Sequence, residues 1–133
     1  MDDLIARVLA GQQPLQILGS GEQTRTPTHV EDIAAGIVSA MSSPRGLGED
    51  FNIAASRELT VAEIARIVWE ACGEDPDELS LKHLPSFEVD VQRRWPSVDK
   101  ARRVLGWEAA IDVCDGVAET VEWLRSRRAE IAT

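Results

Sequence analysis

The stretch Leu15–Met41, LQILGSGEQTRTPTHVEDIAAGIVSAM, constrains the fold more than any other part of the chain. Leu15-Gln16-Ile17-Leu18 alternates as a strand does. Gly19-Ser20-Gly21 breaks the run, because glycine reaches positive-φ conformations at little steric cost. The polar trio Gln23-Thr24-Arg25 follows and ends in a guanidinium. Thr28 and Glu31 have capping-box spacing, and Ile33, Ala34, Ile37, Val38 and Met41 fall at helical intervals. A strand, a glycine turn, an arginine and a capped helix make a place to hold an anion.

Around this stretch the expected elements are short. Residues 2–10 read as an amphipathic helix with Leu4, Ile5, Val8 and Leu9 on one face, ended by Gly11. Asp50-Phe51-Asn52-Ile53-Ala54 reads as a buried strand. Thr60-Val61-Ala62-Glu63 is a capping box that opens a helix running to Cys72, with Leu59 and Ile64 placed for a hydrophobic staple. Leu79–Leu84 alternates and ends at Pro85, as a short edge strand would. The loop from Ser86 to Pro96 carries the polar cluster Asp90-Val91-Gln92-Arg93-Arg94-Trp95. Ser97 is the expected cap of a helix that Gly106 ends in a left-handed turn, folding Trp107 back onto the core. Asp112 is the expected cap of the last helix, whose Arg125–Arg128 run complements the dipole at its end.

At 133 residues, 44% hydrophobic and 28% charged, the chain is expected to be a single globular domain, residues 1–133. A net charge of −9 argues against nucleic acid as a partner, since phosphates would be repelled. No apolar run reaches membrane-spanning length, and the acidic Met1-Asp2-Asp3 start is unlike a signal peptide, so the expected compartment is the cytoplasm. Cys72 and Cys114 lack metal spacing and read as small buried hydrophobes. Two histidines, neither near a cysteine, give no zinc site, and the expected metal set is none.

G-x-G-x-Q-x-R followed by His29-Val30-Glu31-Asp32 resembles the middle of the NAD-dependent epimerase/dehydratases, extended short-chain dehydrogenase/reductases that act on nucleotide sugars. Phe51-Asn52-Ile53-Ala54 resembles a late strand of that family's parallel sheet. Leu59-Thr60-Val61-Ala62-Glu63-Ile64-Ala65 and Lys100-Ala101 with Leu105-Gly106-Trp107 resemble two further family stretches, in the same order. The two residues after Arg25, Thr26 and Pro27, depart from the commoner acidic–aromatic pair.

The resemblance implies the C-terminal, substrate-binding portion of that fold. It would be a small mixed α/β domain of about five helices and three short strands, without most of the Rossmann sheet. In the family, the strand matching Gln16 and Ile17 lies against the nucleotide base, and the arginine matching Arg25 reaches the ribose or diphosphate. A second phosphate-side arginine stands three residues before the aspartate of R-x-G-D. Counted from Asp90 this position is Phe87, with Val89 at the glycine, which leaves Arg93 or Arg94 as the substitute cation. The family's catalytic Tyr-x-x-x-Lys pair and its G-x-x-G-x-x-G turn have no match, since the chain contains no tyrosine and no such turn. Hence no catalytic residue and no cofactor are expected in this chain, NAD being implied for the full-length enzyme. The expected ligand is a nucleotide sugar, and the expected protein partner is a missing N-terminal Rossmann domain or a second copy. The alternative is a free-standing non-catalytic binding or interaction module derived from the family. An acidic adaptor unrelated to it would require every motif match to be coincidence.

Overall fold

Four short strands and five α-helices are interspersed along the chain in a computed structural model that describes residues 1–131, with side chains as far as Arg127. They are α1 (Asp2–Leu9), β1 (Leu15–Leu18), β2 (Thr24–Arg25), α2 (Val30–Ser42), β3 (Leu59–Thr60), α3 (Val61–Ala71), β4 (Leu81–Leu84), α4 (Asp99–Leu105) and α5 (Val113–Ile131). This is the mixed α/β class expected from the sequence. The residues group into two compact units, each built from separated segments. The first unit takes Met1–Gln23, Thr60–Gln92 and the chain from Cys114 onward; the second takes Thr24–Leu59 and Arg93–Val113.

In the first unit β1 pairs in parallel with β4, Leu15 opposite Leu81 and Leu18 opposite Leu84. Leu15 and Ile17 point into a core with Ile5 and Val8 of α1, Ala65, Val68 and Trp69 of α3, and Val117 and Val121 of α5, all buried. Each such large apolar side chain contributes about 1.5–3 kcal/mol relative to exposure. The α3 capping box forms as its sequence requires: Thr60 N–H donates to Glu63 Oε2 at 2.7 Å, and Glu63 N–H donates to Thr60 Oγ1 at 3.1 Å. At the other end of α3, Arg125 Nη2 donates to the Cys72 carbonyl at 2.7 Å. Arg125 itself thus places its cation at the negative end of α3. The Arg128 side chain lies outside the described residues. Cys72 is buried, which pushes its thiol pKa up, whereas Cys114 is exposed, contrary to expectation.

The second unit departs more from the sequence reading. The N-cap of α2 is His29, whose Nδ1 accepts from Glu31 N–H, and Thr28 Oγ1 instead accepts from Ala55 N–H at 2.8 Å. The apolar stripe of α2 points outward, with Ile37 49%, Val38 61% and Met41 82% exposed, and the buried positions are Asp32 and Gly36. Two contacts fix that orientation. The Asp32 carboxylate accepts the backbone N–H groups of Ala110 (3.1 Å) and Ile111 (2.9 Å). A side chain at Gly36 would collide with Ile53 and lie 3.0 Å from Trp107 Cε2. Trp107 is buried behind Gly106, whose left-handed φ of 67° ends α4 as expected. The α4 N-cap is Val98; Ser97 uses its hydroxyl to donate to Asp99 instead.

The expected strand Asp50–Ala54 is not one, because no neighbouring strand pairs with it among the described residues. Side chains hold it in place of a ladder. Lys100 makes ion pairs with Glu49 (2.9 Å) and Asp50 (3.2 Å) and lies 5.2 Å from the Phe51 ring centroid. Asn52 Nδ2 donates to the Ser97 carbonyl at 3.0 Å.

Candidate functional site

The three arginines expected to bind substrate come together in the second unit, around β2. Thr24 forms a parallel bridge with Arg93, and its carbonyl accepts from two directions. Arg94 N–H donates to it at 3.2 Å, and Arg25 Nη1 folds back to donate at 2.7 Å. One oxygen therefore fixes both the head of Arg25 and the backbone of Arg94.

The two loop arginines differ in what they hold. Arg93 grips Glu58 with two hydrogen bonds, Nε to Oε1 and Nη2 to Oε2, each 2.9 Å. The Thr24 hydroxyl also donates to Glu58 Oε1. These donors, Arg93 foremost, pull the Glu58 carboxyl down to about 2. Because the folded value lies below the ordinary 4.5, the pair contributes fully above pH 4.5 and is lost as pH falls through about 2. The expected result of a carboxyl-carbon NMR titration is a Glu58 midpoint near 2 that returns toward the ordinary range in Arg93→Ala. A wild-type midpoint above 4 removes the pairing. Arg94 is exposed, and its guanidinium makes no hydrogen bond or ion pair among the described residues.

Next to them Trp95 donates Nε1–H to the Ser56 carbonyl at 3.3 Å, and the Arg93 guanidinium lies 5.1 Å from its ring centroid. Glu58 and Trp95 are the residues to which sequence reasoning gave no role. Glu58 is 35 positions from its partner Arg93, and no local pattern announces such a pair. A recess of about 200 Å³ in the same unit is lined by Pro27, Ser56, Arg57, Ile111 and Asp112 among others. Its one cation, Arg57, is already bonded to Asp112 at 3.4 Å.

Gln16 and Ile17 lie in the first unit. Gln16 is occupied on both backbone groups: its N–H donates to Gln12 Oε1 at 3.2 Å and its carbonyl accepts Arg7 Nη1 at 2.6 Å. The Ile17 side chain is 4% exposed. The glycine turn after β1 leads into the strand β2 and offers no helix N-terminus, so these residues do not fit a dinucleotide pyrophosphate. Among the described residues no group of histidine, cysteine, aspartate and glutamate is placed to hold a metal, and no helix is long and apolar enough to cross a membrane.

The family model described as GDP-mannose 4,6 dehydratase matches residues 2–120. UDP-glucuronic acid decarboxylase 1 of Xenopus tropicalis is 30% identical over 125 residues, covering 94% of this chain and 28% of that protein. Among solved structures, an epimerase of Methanothermobacter thermautotrophicus superposes with a TM-score of 0.85 at 30% identity, over 98% of this chain and 38% of the other. The UDP-glucose 4-epimerase of Thermotoga maritima, solved with UDP-glucose, gives a TM-score of 0.79 at 30% identity, over 94% of this chain and 38% of that one. The chain thus spans less than two-fifths of the length of each of these proteins.

Proposed function

Because the chain belongs to the NAD-dependent epimerase/dehydratase family, we propose that residues 1–133 are the nucleotide-sugar-binding portion of such an enzyme, catalytically incomplete alone. The observation that carries this reading is the Thr24 carbonyl, which fixes Arg25 and Arg94 together beside the exposed Arg94 guanidinium. A diphosphate has the charge and geometry to take guanidinium forks. Arg93 is committed to Glu58 and acts by holding the loop. Arg94, from the same loop, is the proposed substitute for the second phosphate-side cation, because the position that R-x-G-D assigns to it is Phe87.

In the first unit, Gln16 and Ile17 are the proposed base-side residues. With the Gln16 backbone groups already bonded, its side chain is the group left to contact a base. A uracil or thymine nucleotide is the proposed ligand. Epimerisation, an isomerase reaction, or dehydration of the sugar is the proposed chemistry of the complete protein, in the cytoplasm. NAD and the catalytic tyrosine would come from an N-terminal Rossmann domain. The outward stripe of α2 favours such a partner, since Ile37, Val38 and Met41 are exposed, and Phe51–Ala54 has no strand partner among the described residues. A second copy of the chain is the alternative occupant, and the free-standing module is the corresponding alternative function. Light scattering that gives a monomer at high protein concentration rules the second copy out.

The test is calorimetric titration with uridine and thymidine diphosphates. Arg25→Ala and Arg94→Ala are each expected to lose about 1.5–3 kcal/mol of binding, roughly ten- to hundredfold. Arg25→Lys recovers little, because an ammonium is a point charge without the fork. Equal affinities, or a large fall in the melting temperature of Arg25→Ala, overturn the assignment.

A further inference from the structure

Gln23 is 5% exposed, and its amide is only half used. Nε2 donates to the Leu18 carbonyl at 2.6 Å and so ties down the end of β1. Oε1 is buried and accepts no hydrogen bond among the described residues. Turning the amide over gives no relief, because it would set the oxygen against the Leu18 carbonyl. A buried acceptor without a donor carries a free-energy cost that a rearrangement supplying one recovers.

A donor stands across the glycine turn. A methyl group built on Gly19 would lie 3.5 Å from Ser86 Cβ and 3.6 Å from Gln23 Oε1, so both border the same bare side of one glycine. The Gly19 N–H donates to the Leu84 carbonyl at 2.9 Å, which holds the end of β4, two residues before Ser86, against the turn. Ser86 is exposed, and its hydroxyl makes no hydrogen bond among the described residues. That hydroxyl turns about its Cβ and can be aimed at either side.

We propose that Ser86 and Gln23 form a latch, open in this structure, in which the Ser86 hydroxyl donates to Gln23 Oε1 across Gly19 when nucleotide binds. This inference rests on the nucleotide-binding reading above. That reading puts the base along β1, which runs directly into Gly19, and phosphate at Arg94, in the loop that Ser86 opens. A nucleotide engaging both favours the arrangement in which strand end and loop start are joined. It shifts the balance by its differential affinity for the joined and unjoined states. Ser86 and Gln23 touch each other and not the ligand, so they are positioning residues.

The experiment titrates the full chain with uridine diphosphate by calorimetry and records melting curves of the ligand-free protein. Ser86→Ala removes the hydroxyl, and Ser86→Thr keeps it. The expected result is roughly two- to tenfold weaker binding in Ser86→Ala, the net effect of one neutral hydrogen bond. The ligand-free melting temperature stays unchanged, since the pair is absent there. Ser86→Thr stays within about twofold of wild type, because a threonine hydroxyl donates as a serine hydroxyl does. In Gln23→Leu, which has no acceptor, Ser86→Ala brings no further loss. Where Gln23→Leu does not fold, carbon NMR carries the test. The Gln23 side-chain carbonyl shifts when uridine diphosphate is added to wild type, and does not in Ser86→Ala.

Unchanged uridine diphosphate affinity in Ser86→Ala overturns the latch while leaving nucleotide binding intact. An equal loss in the Gln23→Leu background does the same. So does a lower melting temperature of ligand-free Ser86→Ala, since the pair would then exist without ligand. Wild-type protein that binds no uridine diphosphate at millimolar concentration overturns the nucleotide-binding reading and this inference with it.

Discussion

Trp107→Ala is expected to lower the unfolding free energy by about 3–5 kcal/mol, the range for deleting a buried large aromatic. The indole is 8% exposed and lies against α2 at the one position, Gly36, where no side chain intervenes. Removing it leaves a void bordered by Gly36, which has no side chain to move into the space. The measurement is a urea denaturation curve, in which the midpoint falls while the slope stays constant. An unchanged midpoint would mean that the ring is not packed as described. Gly36→Ala approaches the same contact from the other side. Its new methyl group meets Ile53 and the indole together, and overpacking of this kind costs about 1–3 kcal/mol.

The second large effect belongs to Asp32. Its carboxylate receives two backbone N–H groups, from Ala110 and Ile111, and the residue is buried. Asp32→Ala strands both donors, so the expected loss is about 3 kcal/mol, the upper end for hydrogen bonds to a charged group. Asp32→Asn restores only part, because an amide presents one acceptor oxygen where the carboxylate presents two. Native-state hydrogen exchange gives an independent reading: the amides of Ala110 and Ile111 should lose protection in Asp32→Ala before the rest of the unit does. Protection that persists at both amides would show that the carboxylate is not their partner.

What was legible in the sequence follows the range over which each signal acts. The α3 capping box and the Gly106 turn are written within four residues, and both form as read. The three arginines named from the sequence meet around β2, where the Thr24 carbonyl accepts from Arg25 and Arg94 and Thr24 bridges Arg93. The orientation of α2 was not. Periodicity reveals that Ile37, Val38 and Met41 share a face, but not whether anything covers it. Here the inward face is chosen by one carboxylate and one glycine. Phe51–Ala54 has the composition of a strand, yet a strand exists only where another backbone pairs with it. The clamp on Trp95 depends on Glu58 and Ser56, 35 and 39 positions from the residues they hold, and no window of sequence displays that.

The bond from Asp32 to Ala110 joins residues 78 positions apart, and the unit it closes is interrupted by a segment that belongs to the other unit. Synthesis from the N-terminus therefore delivers α2 well before its anchor exists. Contacts this distant in sequence require the entropy of a large loop to be overcome before they stabilise anything, which slows folding relative to helical domains of similar size. A ribosome that pauses before Ala110 holds a chain in which Asp32 has neither of its backbone partners, although Ile53 and Trp107, which pack at Gly36, have already been made. For that interval α2 can pack only through its glycine, and the carboxylate that locks its rotation has nothing to hold.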